Sequence, residues 1–210
     1  MTKKSKLNII LPIAFTAALL ASMIYCGEFA SSGSMFKSVL QLSAIYMLLA
    51  VSLNLLNGFT GLFSLGQAGF MTIGAYTYAI FTIPVKSRAS VYYLYGVADW
   101  LKNIELPVII ALIVAGLAAA LLAAIIGAPV LRLKSDYLAI ATLGFAEVVR
   151  IVVASSPLNK ITNGSLGLKK IPGFESYYGI FIVAFVCIAI IMLLLNSTYG
   201  RALKAIRDDE

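Results

Sequence analysis

Chemistry in this chain has to be sought without histidine. None of the 210 residues is one, which removes the commonest general base, proton relay and metal ligand together. Three groupings of side chains remain. In the first, Asn57, Thr60, Ser64 and Gln67 are interleaved with Gly58, Gly61, Gly66, Gly69 and Gly74. Lipid-facing helices rarely have this composition. Irregular backbone at membrane depth is tolerated only where it is buried in protein or lines a water-filled cavity. Gly58 to Gly66 therefore reads as a broken or re-entrant segment beside a pathway, with Asn57, Thr60, Ser64 and Gln67 as substrate-facing candidates. The competing reading is close helix packing, with Gly69 and Gly74 letting neighbours approach and the small polar groups bonding across the contact.

The second grouping is Glu147 and Arg150, three residues apart and so on one helical face. A charge at the centre of a membrane helix costs about 2.5–3.5 kcal/mol on insertion scales, so the two are expected to pair, to snorkel, or to face a polar interior. Asp136, at the start of the same apolar stretch, suits a helix N-terminus. The third grouping is Arg201, Lys204 and Arg207 in the final segment. There Ala202, Leu203, Ala205 and Ile206 can form an apolar stripe, giving a short amphipathic helix that lies on lipid or docks into a partner. None of the groupings is catalytic. Cys26 and Cys187 have no metal-site or disulfide spacing, so no metal or cofactor is expected. A phosphate-cradling G-x-x-x-x-G-K-[ST] loop is missing from the sequence.

The elements that must hold these residues are membrane helices. The chain is 61% hydrophobic and 12% charged, against about 25% charged in an ordinary soluble domain. Its excess of sixteen Lys and Arg over nine Asp and Glu falls mostly between apolar runs, as membrane-flanking charge and not as a nucleic-acid surface. Crossing about 30 Å of hydrocarbon takes roughly 20 apolar residues. Runs of that kind extend over 7–26, 39–56, 66–85, 106–131, 137–154 and 179–195. The expected fold is all-α and polytopic, with about six transmembrane or re-entrant helices. Lys3, Lys4 and Lys6 ahead of the first run place the N-terminus in the cytoplasm, and a retained first helix fits better than a cleaved signal peptide. Residues 86–105 and 155–178 would then face outside, the second an ordered-loop candidate rich in turn formers.

Three blocks resemble the permease subunits of branched-chain amino acid ABC transporters, the Liv type, and the LivM branch more than LivH. They are Leu53 to Tyr76, Ser135 to Arg150 with Thr162 to Gly167 beyond it, and Tyr199 to Glu210. The resemblance implies one transmembrane permease domain over 1–210, with 196–210 beginning a cytoplasmic coupling segment that docks on an ATPase. It implies coupling roles for Gly200, Arg201, Ala205 and Arg207. Family members continue past this block into further membrane helices, so a partial chain is expected. Expected partners are ABC ATPase subunits, a second, LivH-like permease subunit, an extracytoplasmic substrate-binding protein and membrane lipid, with no nucleic acid. The implied location is a bacterial-type inner membrane, and the implied activity is ATP-driven import of a hydrophobic amino acid without catalysis by this chain. A urea or short-chain amide permease, an ion-coupled carrier dependent on Glu147, and a scaffold without a pathway are the alternatives.

Overall fold

A computed structural model describes residues 35–133, 135–174 and 176–208. The expected span over 7–26, with the lysines ahead of it, lies outside them, as does the side chain of Asp136. Among the described residues the regular structure is entirely helical. The longer elements are α1 (Met35–Asn54), α2 (Gln67–Thr82), α3 (Val85–Val91), α4 (Val108–Val130), α5 (Ser135–Val153), α6 (Asn159–Thr162), α7 (Gly179–Asn196) and α8 (Thr198–Asp208).

Three helices are long and apolar enough to cross a membrane: α1 extended through Phe59, α4 and α7. α4 and α7 are apolar on every face, as helices in contact with lipid and with other apolar helices must be. Side chains such as Ile109, Leu117, Leu121, Phe185 and Leu193 are each more than 60% exposed. The expected third and fifth spans, 66–85 and 137–154, correspond to α2 and α5, each followed by a short helix set at an angle to it. α2 with α3 turns through 119°, and residues 137–162 bend by 54°, so the described residues hold three to five spans according to whether each bent pair counts as one. The cause of the first bend is local: Pro84 cannot continue a helix and keeps Ile83 extended. Pro157 stands in the 3-10 turn Ser156–Leu158 that follows the second.

The chain divides into two compact units. One holds the described residues of Met1–Val51 and Glu175–Leu194, the other those of Ser52–Phe174 and Leu195–Glu210. In the first, the Lys37 ammonium lies 5.3 Å from the centre of the Tyr177 ring, which also packs edge-on against Tyr178. In the second, α2 is the central helix and packs on α4 and α5. The start of α4 is tied to the end of α2 by the Leu106 amide, 2.9 Å from the Phe81 carbonyl. α2 and α5 run one way and α4 the other. The ends of α2 and α5 and the start of α4 thus gather at one pole, and the start of α5, the end of α4 and the 131–133 turn at the other.

Candidate functional site

The glycine-rich segment of the larger unit begins where α1 loosens into a π-helical turn, Leu55–Phe59. Residues 60–66 are irregular, with Gly61 in the left-handed region at φ +73°. Helical backbone would satisfy its own amides, and here side chains do it instead. Leu62 donates to Thr60 Oγ1 at 3.4 Å, Ser64 to Asn57 Oδ1 at 3.1 Å, Leu65 to Thr142 Oγ1 at 3.0 Å and Gly66 to Ser64 Oγ at 3.4 Å. The Thr60 hydroxyl itself donates to the Leu56 carbonyl. Gln67 Nε2 reaches back 2.9 Å to Ser52 Oγ. Thr60 and Ser64 are buried. The structure thus brings Asn57, Thr60, Ser64 and Gln67 into one segment and commits a polar atom of each to the chain's own hydrogen bonds.

That segment leans on α5 at two glycines. A Cβ on Gly66 would lie 3.3 Å from Thr142 Cβ, and one on Gly69 only 3.0 Å from Ala146 Cα, so neither tolerates a side chain without movement. Thr142 was not among the sequence candidates. It lies 77 positions from its partner Leu65, and a lone threonine in an apolar helix gives no sequence signal of that role.

The terminal helix α8 docks on the same segment. Arg207 Nη1 donates to the Gly58 carbonyl at 3.1 Å, and the Lys204 ammonium sits 5.5 Å from the centre of the Phe59 ring. An open cavity of about 410 Å³ is lined by Asn54, Gly58, Phe59, Lys204 and Arg207. Successive helix positions rotate by 100°, so Gly200, Leu203, Lys204 and Arg207 share one side and Arg201, Ala202 and Ala205 the other. Gly200 is buried and Leu203 half-buried, while Arg201, Ala202 and Ala205 are exposed, as are Lys204 and Arg207, whose side chains nonetheless contact Phe59 and Gly58. The four coupling candidates are therefore split: Gly200 and Arg207 face their own chain, Arg201 and Ala205 face away. Of the apolar stripe expected from Ala202, Leu203, Ala205 and Ile206, Leu203 lies on the docked side and Ala202 and Ala205 are exposed, while the side chain of Ile206 lies outside the described residues. Gly200 sets the roll, because only a residue without Cβ fits against the Leu195 backbone.

Glu147 and Arg150 form a two-point ion pair on one side of α5, at 2.5 and 3.0 Å. Both side chains are more than half exposed, and neither approaches the glycine-rich segment through a hydrogen bond.

At the opposite pole, residues 83–106 and 154–174 fold into a cap. Its core is Ile83, Val91 and Tyr92, with Val97 and Leu168 packed against it. Arg88, 3% exposed, directs its guanidinium at the carbonyls of Ile83, Leu101 and Ile104. A buried cation here is stabilised by backbone dipoles instead of a carboxylate. Tyr92 donates to the Ile161 carbonyl at 2.7 Å, and Asn163 Nδ2 to those of Val91 and Gly167 at 3.2 and 2.8 Å. Burial pushes the Tyr92 phenol up to about 12, against the weaker opposing pull of the Arg88 charge. On the rim, Lys102 bonds Asp99 at 2.6 Å and holds its carboxyl below the usual carboxylate range. Among the described residues no cluster of His, Cys, Asp or Glu could hold a metal ion.

Residues 35–210 match the family model described as branched-chain amino acid transport system / permease component. Two curated relatives are similar: the high-affinity branched-chain amino acid transport system permease protein LivM of Escherichia coli K12, 31% identical over 93% of this chain, and that of Salmonella typhimurium LT2, 30% identical over the same share. The chain spans about half the length, 49%, of each of these relatives. No solved structure matches it. With the match running through the glycine-rich segment, α5 and α8 alike, the chain belongs to the family of permease components of branched-chain amino acid transport systems.

Proposed function

We propose that this chain belongs to a permease subunit of an ATP-driven importer that carries branched-chain amino acids through the inner membrane of a bacterial-type cell. Substrate arrives from an extracytoplasmic binding protein, a second, LivH-like permease subunit completes the pathway, and ATP is hydrolysed on separate ATPase subunits. The chain acts as a single permease domain, and residues 196–210 open its cytoplasmic coupling segment. The N-terminus and the pole carrying α8 lie on the cytoplasmic side, and the cap faces outside.

One observation carries this reading: an amphipathic helix following directly on a membrane span is seated on the glycine-rich segment that the sequence marks as pathway-lining. Asn57, Thr60, Ser64 and Gln67 then border the route taken by substrate, as irregular backbone at membrane depth should. The exposed side of α8, with Arg201 and Ala205, is the ATPase contact. Glu147 and Arg150 are a structural pair. Alternating access follows if ATP binding favours one seating of α8 over the other, since a ligand moves an equilibrium only through its differential affinity for the two states.

The test is uptake of labelled leucine, isoleucine and valine by proteoliposomes holding the full-length subunit with its permease partner and ATPase, with binding protein supplied outside. ATP-dependent uptake that survives a protonophore, with no uptake of urea, is the expected result. Uptake driven by an ion gradient without ATP would overturn it.

A further inference from the structure

We infer that Arg207 is a latch fastening the terminal helix to the glycine-rich segment, so that displacement of α8 by a partner on its exposed side is transmitted directly to Gly58–Gly61. The inference rests on the transport reading above and adds to it a positioning residue and a route for the force.

Three contacts converge there across 149 positions of sequence. The Arg207 guanidinium bonds the Gly58 carbonyl at 3.1 Å. Its stem passes so close to Gly61 that a Cβ there would lie 2.9 Å from Arg207 Cγ. One turn earlier, Lys204 sits over the Phe59 ring. The Gly58 carbonyl is available for a physical reason. In a continued α-helix it would accept from the amide four residues on, but the Leu62 amide is turned to Thr60 Oγ1 and Gly61 takes a left-handed conformation. The break in the helix thus presents an acceptor at the point where α8 arrives. A charge-assisted hydrogen bond to that acceptor is stronger and more directional than a neutral one. The open cavity beside the contact leaves the helix and the turn room to shift together. On the other side of α8, Arg201 and Ala205 make no part of this contact, so docking a partner and holding the segment fall to different residues.

The experiment compares Arg207→Ala, Arg207→Lys, Phe59→Leu and Arg201→Glu in the assembled full-length transporter. Three quantities are measured: ATPase subunit retained through purification, ATP hydrolysed, and substrate moved per ATP. Arg207→Ala is expected to retain and run the ATPase as wild type does while substrate moved per ATP falls about tenfold, the consequence of losing one charge-assisted hydrogen bond. Arg207→Lys keeps a donor and recovers part of the loss. Phe59→Leu removes only the ring under Lys204, gives a smaller loss in the same direction, and serves as the test should Arg207→Ala fail to assemble. Arg201→Glu sheds the ATPase. Substrate per ATP within about twofold of wild type in both Arg207→Ala and Phe59→Leu, or an Arg207→Ala protein that sheds ATPase as Arg201→Glu does, overturns the latch alone. A wild-type subunit that retains no ATPase removes the transport reading itself, and the latch with it.

Discussion

Replacing Gly200 with alanine should unseat α8. A Cβ at that position would run into the Leu195 carbonyl oxygen and lie 2.5 Å from its carbonyl carbon and 2.7 Å from its Cα. All three are backbone atoms at the α7–α8 junction, so no side-chain rotation relieves the clash. Reaching ordinary contact needs a displacement of roughly 1 Å or more, and overpacking of this kind costs about 1–3 kcal/mol. α8, which meets the glycine-rich segment through the Arg207 hydrogen bond and the Lys204 cation–π contact among others, yields more readily than the apolar helix before it. A penalty of about 2 kcal/mol placed on the seated state raises the unseated population roughly thirtyfold. Limited trypsin digestion in detergent reads this population, because Arg201, Lys204 and Arg207 are cut only when the helix opens. The initial cleavage rate within α8 should rise by about that factor. Gly144→Ala is the control: a Cβ there meets nothing within 4 Å, and it replaces a mid-helix glycine by the better helix former. Cleavage of Gly200→Ala at the wild-type rate, or equal acceleration in the two variants, would refute the steric argument.

Three further outcomes follow from the cap and from α5. Arg88→Leu takes the charged donor from three buried carbonyls, and the loss of about 3–5 kcal/mol should appear as faster amide hydrogen exchange across residues 85–105, with Arg88→Lys recovering only part; unchanged protection would remove the buried-cation account of the cap. The Tyr92 phenol is raised from its ordinary value of 10.0 to about 12, so the folded cap holds that proton more tightly than the unfolded chain does. The resulting stability is fully present below pH 10 and disappears as pH rises toward 12; exchange in the cap should quicken over that window in wild type, and Tyr92→Phe should lose this step while exchanging somewhat faster at neutral pH. Glu147→Gln breaks a largely exposed i,i+3 ion pair of small energetic worth, so ATP-driven transport should stay within about twofold of wild type; abolished uptake would mean that this carboxylate carries protons or ions.

The parts of this fold that were legible in the sequence are those set by local hydropathy. Apolar runs such as 106–131 and 179–195 reappear as α4 and α7 because a helix in lipid satisfies its own backbone and needs no information from elsewhere in the chain. The glycine-rich segment was legible as irregular for the same local reason. Its bracing was not, because the acceptor for Leu65 lies on Thr142 and pairings across such distances leave no periodicity. The cap shows the same limit. Tyr92 with Ile161, Asn163 with Val91 and Tyr78 with Pro172 join residues 69 to 94 positions apart, so 155–178 read as an ordered loop and 86–105 as an outside connection, with nothing to pair the two. Arg88 in particular counted as flanking charge, and only the carbonyls gathered around it make a buried arginine tolerable. On α8 nothing in the apolar stripe accounted for Gly200, whose seat against the Leu195 backbone emerges only where α7 turns into α8.

The braced segment also sets how loss-of-function data on its polar residues must be read. Four irregular amides, of Leu62, Ser64, Leu65 and Gly66, take side-chain acceptors from Thr60, Asn57, Thr142 and Ser64. Leaving one such amide unpaired in an apolar surrounding costs on the order of 1–3 kcal/mol by mutational measures. Removing a single acceptor is then enough to shift the segment away from the conformation that presents Gly58 to Arg207. A transport defect in Asn57→Ala or Ser64→Ala reports first on that conformation, and only secondarily on any contact with substrate. Substitutions that keep the acceptor, Asn57→Asp and Ser64→Thr, separate the two. They preserve the bond to the Ser64 or Gly66 amide while altering the charge or bulk that a passing amino acid would meet, so a defect confined to these variants belongs to the pathway and not to the fold.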